Sequence, residues 1–160
     1  METRDIRQQV TFKAPPHEVY ELLMDEKKHG AFSQSKTSIN RKVGGKISSG
    51  GGYIEGTNLK LVPDKKIVQS WRDIDWAEGH FSKATWSFSP TTGGTRMVFT
   101  QSGVPADQYE ATSQGWRDYY WEPMKEMLKN RIRGGKSPIC NKRKAFALLI
   151  HLTLPVKLRF

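Results

Sequence analysis

The clearest periodicity in the chain lies between Gln114 and Arg131, QGWRDYYWEPMKEMLKNR. Trp116, Tyr119, Tyr120, Pro123, Met124 and Met127 recur at i, i+3, i+4 and i+7, while Asp118, Glu122, Lys125, Glu126 and Lys129 gather on the opposite side. The spacing predicts a helix with one aromatic and one wet face. Rings of this kind bury roughly 150–250 Å² each, so the aromatic face calls for a broad concave partner, such as a curved sheet. Pro123 lacks an amide donor and crowds the preceding turn, so the helix is expected to bend there.

Upstream, Ile6, Val10 and Phe12 alternate with polar residues and predict a strand over 6–13. Ala14-Pro15-Pro16 ends it, and Val19, Leu22 and Leu23 carry a helical period from Pro16 to Asp25, with a further short helical turn over 26–32. From Thr37 the pattern becomes short alternating runs, TSINRKV, KIS, YIEGTNLKLV, IVQSWRDI, FSKATWSFS and TRMVFTQ, parted by glycine and proline turns. The order is strand, one or two short helices, about six antiparallel strands and a long C-terminal helix, which is an α+β arrangement. The final helix must cover the inner face of the sheet. Large aromatics propped between a sheet and one helix also suit a small-molecule cavity, for which the candidate lining is Trp71, Trp86, Phe88, Phe99, Trp116, Tyr119, Tyr120 and Met124. Taken singly, each reads first as ordinary core, and only the set suggests a space.

Composition narrows the setting. The 160 residues suit one domain with a tail, and the single cysteine, Cys140, cannot form an internal disulfide, which fits a reducing, cytoplasmic environment. The first residues hold acids and no apolar stretch, so no secretory signal is expected. No run approaches the roughly 20 apolar residues of a membrane span. Of the net +10, eight Lys and Arg with no opposing acid lie from Arg131 onward. Residues 1–130 keep 18 basic against 16 acidic side chains, which predicts a nearly neutral body and no nucleic-acid partner. Gly134-Gly135 divides a domain over 1–133 from an extension over 134–160, where Ala145 to Leu154 is mostly apolar between basic flanks. Such a segment suits an anionic membrane surface or a partner's groove, but reads first as an extension with no role.

The chemical constellations are sparse. Asp73, Asp75, Glu78 and His80 lack the spacing of a zinc or calcium site and read as a solvated loop, with Trp76 packing down. His17, His29, His80 and His151 are scattered and read as surface residues, and the glycine pairs and triplets read as hairpin turns, not phosphate loops. No catalytic residue, metal site or cofactor is expected.

Six phrases in order, RKVGGK at 41–46, GGYIEG at 51–56, LVPDKKIVQSWR at 61–72, DWAEGHFS at 75–82, GVP at 103–105 and QGWRDYYWEPMK at 114–125, resemble the C-terminal domain of the family named for the activator of heat-shock protein 90 ATPase. That domain belongs to the helix-grip, START-like and polyketide-cyclase-like superfamily. The resemblance covers about residues 5–130. It implies a sheet of six or seven strands wrapped around the long helix, and a non-enzymatic regulator whose partner is a heat-shock protein 90 type chaperone. The alternative it leaves open is a carrier or sensor of a small hydrophobic ligand. The two-domain activators also carry a separate N-terminal docking domain, for which this chain is expected to have no room.

Overall fold

The computed structural model describes residues 1–132. Cys140 and the segment over 134–160 lie outside the described residues. The chain runs β1 (Thr3–Phe12), α1 (Pro16–Met24), α2 (Glu26–Ser33), β2 (Ser38–Ile39), β3 (Lys46–Ser49), β4 (Ile54–Val62), β5 (Lys66–Asp73), β6 (Ser82–Thr91) and β7 (Gly94–Pro105). A helical stretch then completes it in three parts: α3 (Tyr109–Trp116), one π-helical turn (Arg117–Trp121) and α4 (Glu122–Ile132). All seven strands form one antiparallel sheet in the order β1-β7-β6-β5-β4-β3-β2. The two helices after β1 carry the chain from one edge of the sheet to the other, and the C-terminal helix lies over the inner face.

Local chemistry accounts for the boundaries. Pro16 opens α1, where its missing amide hydrogen costs nothing. Asp25 ends that helix and caps the next, its carboxylate accepting the Lys28 amide at 2.9 Å. Strict alternation places Ile6, Val10 and Phe12 inward on β1, and Met97, Phe99 and Gln101 inward on β7. The core also holds Gln8, Gln69 and Asn58, polar side chains on inward positions that the alternation of apolar residues does not reveal.

Asn58 explains where the sequence reading overshoots. The strand expected over 37–43 survives only as Ser38–Ile39. The fully buried Asn58 sits at a bulge in β4 and draws residues 40–45 into a loop, its amide donating to the carbonyls of Asn40 at 2.7 Å and Lys42 at 3.2 Å. Its backbone exchanges hydrogen bonds with Gly44 and Gly45. A Cβ on Gly45 would stand 2.4 Å from the Asn40 carbonyl, so only glycine lets the loop close. Gln69 completes the cluster by donating to the Asn58 carbonyl oxygen at 2.9 Å.

The long helix departs from simple periodicity just before Pro123. Its π-helical turn inserts one residue, so the inward position after Trp116 is shared by Tyr120 and Trp121. Trp121 is buried, while Tyr119, expected on the aromatic face, lies on the outer side. The irregularity foreseen at Pro123 is therefore placed one turn earlier, ahead of the residue that cannot donate.

Replacing Asn58 by Leu takes the side-chain donor from the Asn40 carbonyl and the acceptor from the Gln69 amide, while the Lys42 carbonyl keeps its bond from the Gly45 amide. At about 1–3 kcal/mol for each buried group left unpaired, urea denaturation of Asn58→Leu is expected to show a loss of at least about 2 kcal/mol, and an unchanged midpoint would mean that Asn58 does not anchor the loop.

Candidate functional site

Between the helix and the sheet the aromatics form one connected stack. Trp116 is its centre, with ring centroids 4.4 Å from Phe99, 4.5 Å from Tyr120, 5.3 Å from Trp71 and 5.7 Å from Trp86. Trp71 passes the contact to Trp76 at 5.4 Å, and Trp121 stacks on Trp116, so all five tryptophans of the chain belong to it. At the other end Tyr120 meets His29 and Phe32 of α2.

Polar bonds set the register of this stack. The Trp116 indole N–H donates to the Gln101 carbonyl oxygen at 2.7 Å, the Gln101 amide donates to Ser82 at 2.8 Å, and the Ser82 hydroxyl donates to the Trp71 carbonyl at 2.8 Å. The Trp121 indole donates to Gln8 at 2.6 Å, and Gln8 returns its amide to Ser113. The helix is thereby pinned to β7 and to β1 by an indole–glutamine bond each.

A cavity of about 20 Å³ lies beside the stack, bounded by Trp71, Trp86, Trp116, Tyr120, His29 and Ile67 among others. That is room for about one water, far below the roughly 300–1,000 Å³ of ligand pockets. Two buried polar atoms along its wall, Trp86 Nε1 and His29 Nε2, have no partner among the described residues. Burial pushes the Tyr120 phenol up to about 12, with the Ser49 side chain opposing, so it stays protonated. Burial also pushes the His29 imidazole below its ordinary range, against the bond its Nδ1 makes to the Leu23 carbonyl at 3.0 Å.

Of the residues singled out from sequence, Trp71, Trp86, Trp116 and Tyr120 line this cavity. Phe99 and Met124 are buried in the same core without lining it, and Phe88 packs against Tyr20 instead. Tyr119 stands outside for the reason given above. His29 is a correction, since it is buried and not a surface residue. Its signal was the phase it shares with Phe32 on a helix too short to show a period.

The phrases 51–56 and 75–82 meet at one end of the sheet. The Tyr53 hydroxyl donates to Asp75 at 2.7 Å, the Ile74 amide donates to the Tyr53 carbonyl at 2.9 Å, and His80 Nε2 lies 2.7 Å from the Gly103 carbonyl. Burial raises Asp73, whose carboxylate accepts the Asp75 amide, and raises Tyr53 as well. Trp76 packs down from this loop as expected. Asp73 bonds within the loop, Asp75 and His80 tie it to Tyr53 and to β7, and among the described residues no group of three metal-ligating side chains assembles.

The profile of the family described as Activator of Hsp90 ATPase homolog 1-like protein matches residues 13–129, nearly the whole of this folded unit. The chain belongs to that family. It is similar to the activator of 90 kDa heat shock protein ATPase homolog 1 of Homo sapiens, at 35% identity over 116 residues, which is 72% of this chain and 34% of the relative. The Dictyostelium discoideum homologue is also 35% identical, over 72% of this chain and 30% of its own length. The chain thus spans about a third of the length of these curated relatives. A crystal structure described as an HSP90 activator from Plasmodium falciparum superimposes with a TM-score of 0.75 at 25% identity, covering 78% of this chain and 96% of that one. A Mesorhizobium loti protein at 21% identity and a TM-score of 0.68 shares the fold. The family's helix-grip architecture is therefore the one expected from the six phrases.

Two predictions arise from the stack. Trp116→Ala is expected to cost about 3–5 kcal/mol, as truncation of a large core aromatic does, measured by denaturation; a loss under about half a kcal/mol would place the ring outside the core. For His29, a lowered pKa in the folded state means that its stabilising contribution is complete above the ordinary value of about 6.5 and is lost as pH falls from there through the folded value. Urea midpoints measured at about pH 7.5 and about pH 5.5 should fall on acidification, and His29→Leu should flatten the fall. An equal fall in both proteins would detach the effect from His29.

Proposed function

We propose that this chain is a non-enzymatic regulator of a heat-shock protein 90 type chaperone, acting in the cytoplasm through its surface. One observation carries the reading: the family match coincides with the folded unit, and that unit covers nearly all of a crystallised chain described as an HSP90 activator. The interior supports it. The Trp116 and Trp121 indoles are hydrogen-bonded to Gln101 and Gln8, and the remaining space of about 20 Å³ suits one water, not the hydrophobic ligand of the carrier alternative. Among the described residues no helix is long and apolar enough to cross a membrane. We take residues 1–133 as the working unit and 134–160 as an extension.

The proposal is tested by ATP hydrolysis of a purified heat-shock protein 90 type chaperone titrated with the full chain. Stimulation is expected to be modest and to saturate only at high concentration, because one small domain does not reach the standard buried area of about 1,600 Å². The protein alone should hydrolyse nothing. Binding of a fluorescent fatty-acid probe, with no effect on the chaperone at any concentration, would replace the regulator by the carrier.

A further inference from the structure

The nearly neutral body hides a segregation of charge. Among the described residues the helices lie on the inner side of the sheet and none covers the outward strand positions. They carry Arg7, Lys46, Lys60, Lys66, Lys83 and Arg96. Strand register places these cations across one continuous surface. Lys83 and Lys46 occupy one cross-strand row with Ser70 and Thr57 between them, and Arg7 and Lys60 end the next row, spanned by Thr100, Thr85 and Val68. None of the six has a carboxylate partner among the described residues, whereas Arg4, Arg41, Arg72, Lys125 and Arg131 are each paired with a glutamate. Of the sixteen acidic residues, only Asp5 and Glu55 stand at outward strand positions. Asp5 accepts the Gly103 amide, and Glu55 is paired with Arg72. Residues 133–160 contain no Asp or Glu to cover the surface.

One corner of this face has a different character. Phe81, 45% exposed, stands beside a groove of about 270 Å³ shared with Lys46, Thr57, Gly56 and Glu55, whose carboxylate is paired with Arg72. An exposed ring at the edge of a basic, hydroxyl-lined surface matches the anatomy of a protein interface, an aromatic anchor with a charged surround. Single-stranded nucleic acid would call for a row of stacking rings, and the outward strand positions carry none. A membrane surface would call for a broad apolar band.

We propose that the outward face of the sheet, from the groove at Phe81 across the six unpaired cations, docks an acidic protein segment that inserts one apolar side chain. The assignment rests on the regulator reading above, which makes the chaperone the bearer of that segment. The test titrates full-length, nitrogen-15-labelled protein with the purified chaperone, following affinity and amide shifts at about 50 mM and about 200 mM salt, where screening lengths differ about twofold. Arg7→Glu/Lys83→Glu/Arg96→Glu should lose at least about tenfold in affinity and most of its salt dependence. The neutral glutamine triple should fall between it and the natural chain. Phe81→Ala should weaken binding with the salt dependence kept. Reversing Lys27, Lys28 and Lys129 on the helical side should change affinity by less than about twofold. Natural affinity in the sheet triple, or shifts confined to the helices, overturns the docking face while the regulator reading stands. No chaperone binding by the natural chain removes both. Tighter binding of a short DNA duplex than of the chaperone, abolished in the triple, overturns the protein partner.

Discussion

The structure depends on one chain of donors. Trp116 gives its indole hydrogen to Gln101, Gln101 gives an amide hydrogen to Ser82, and Ser82 gives its hydroxyl hydrogen to the Trp71 carbonyl. Each group has one direction in which it can serve, so the helix, β7, β6 and β5 share one registry. Ring packing alone tolerates sliding, because dispersion is weakly directional and a flat indole meets many surfaces equally well. A buried donor left without an acceptor costs about 1–3 kcal/mol, so slippage of the helix by one position breaks the Trp116–Gln101 bond and leaves both the indole and the Gln101 oxygen unpaired. Trp121 and Gln8 repeat the device on β1, which among the described residues is an edge strand of the sheet.

The π-helical turn follows from these two bonds. Trp116 and Trp121 are five residues apart, and both must direct an indole toward the same sheet. On a regular α-helix a separation of five rotates the second side chain well away from the first, since the turn closes at 3.6 residues. Widening one turn brings both inward. Pro123, two residues after Trp121, has no amide hydrogen to lose in that distortion, so the sequence meets a packing demand at the position where the hydrogen-bond ladder is already interrupted.

These demands explain what was legible from sequence and what was not. Alternation revealed β1 and β4 through β7, because inward residues there are mostly apolar and a period of two cannot shift without exposing them. The aromatic helix was legible through its first ring, and its phase was lost at Tyr119, where an inserted residue has no mark in the sequence apart from the nearby proline. Gln8 and Asn58 look like surface residues to any pattern of hydrophobicity, yet they hold the register and the loop over 40–45. The strand overextended past Ile39 for the same reason. Of the aromatic candidates, Trp71, Trp86, Trp116 and Tyr120 fell around one space because strands and helix both direct them to the middle of the sheet, whereas Phe88 lies toward its end. The size of that space was beyond any pattern, since it depends on how completely five tryptophans interlock.

That interlocking also decides where recognition can occur. A domain that fills its grip with indoles, two of them hydrogen-bonded to glutamines of the sheet, leaves only about 20 Å³ beside them, so the space between helix and sheet serves as packed core. Polar groups open to a partner then lie at the loops, on the outer faces of the helices and on the sheet's outward side, where charge accumulates without disturbing the core. A linear count of Lys, Arg, Asp and Glu cannot register this, because strand alternation assigns neighbouring residues to opposite faces and the helices carry much of the acid on the other side. Net neutrality and a strongly basic face are compatible whenever secondary structure sorts the signs. In this fold a seven-stranded sheet with all its helices on one side performs that sorting.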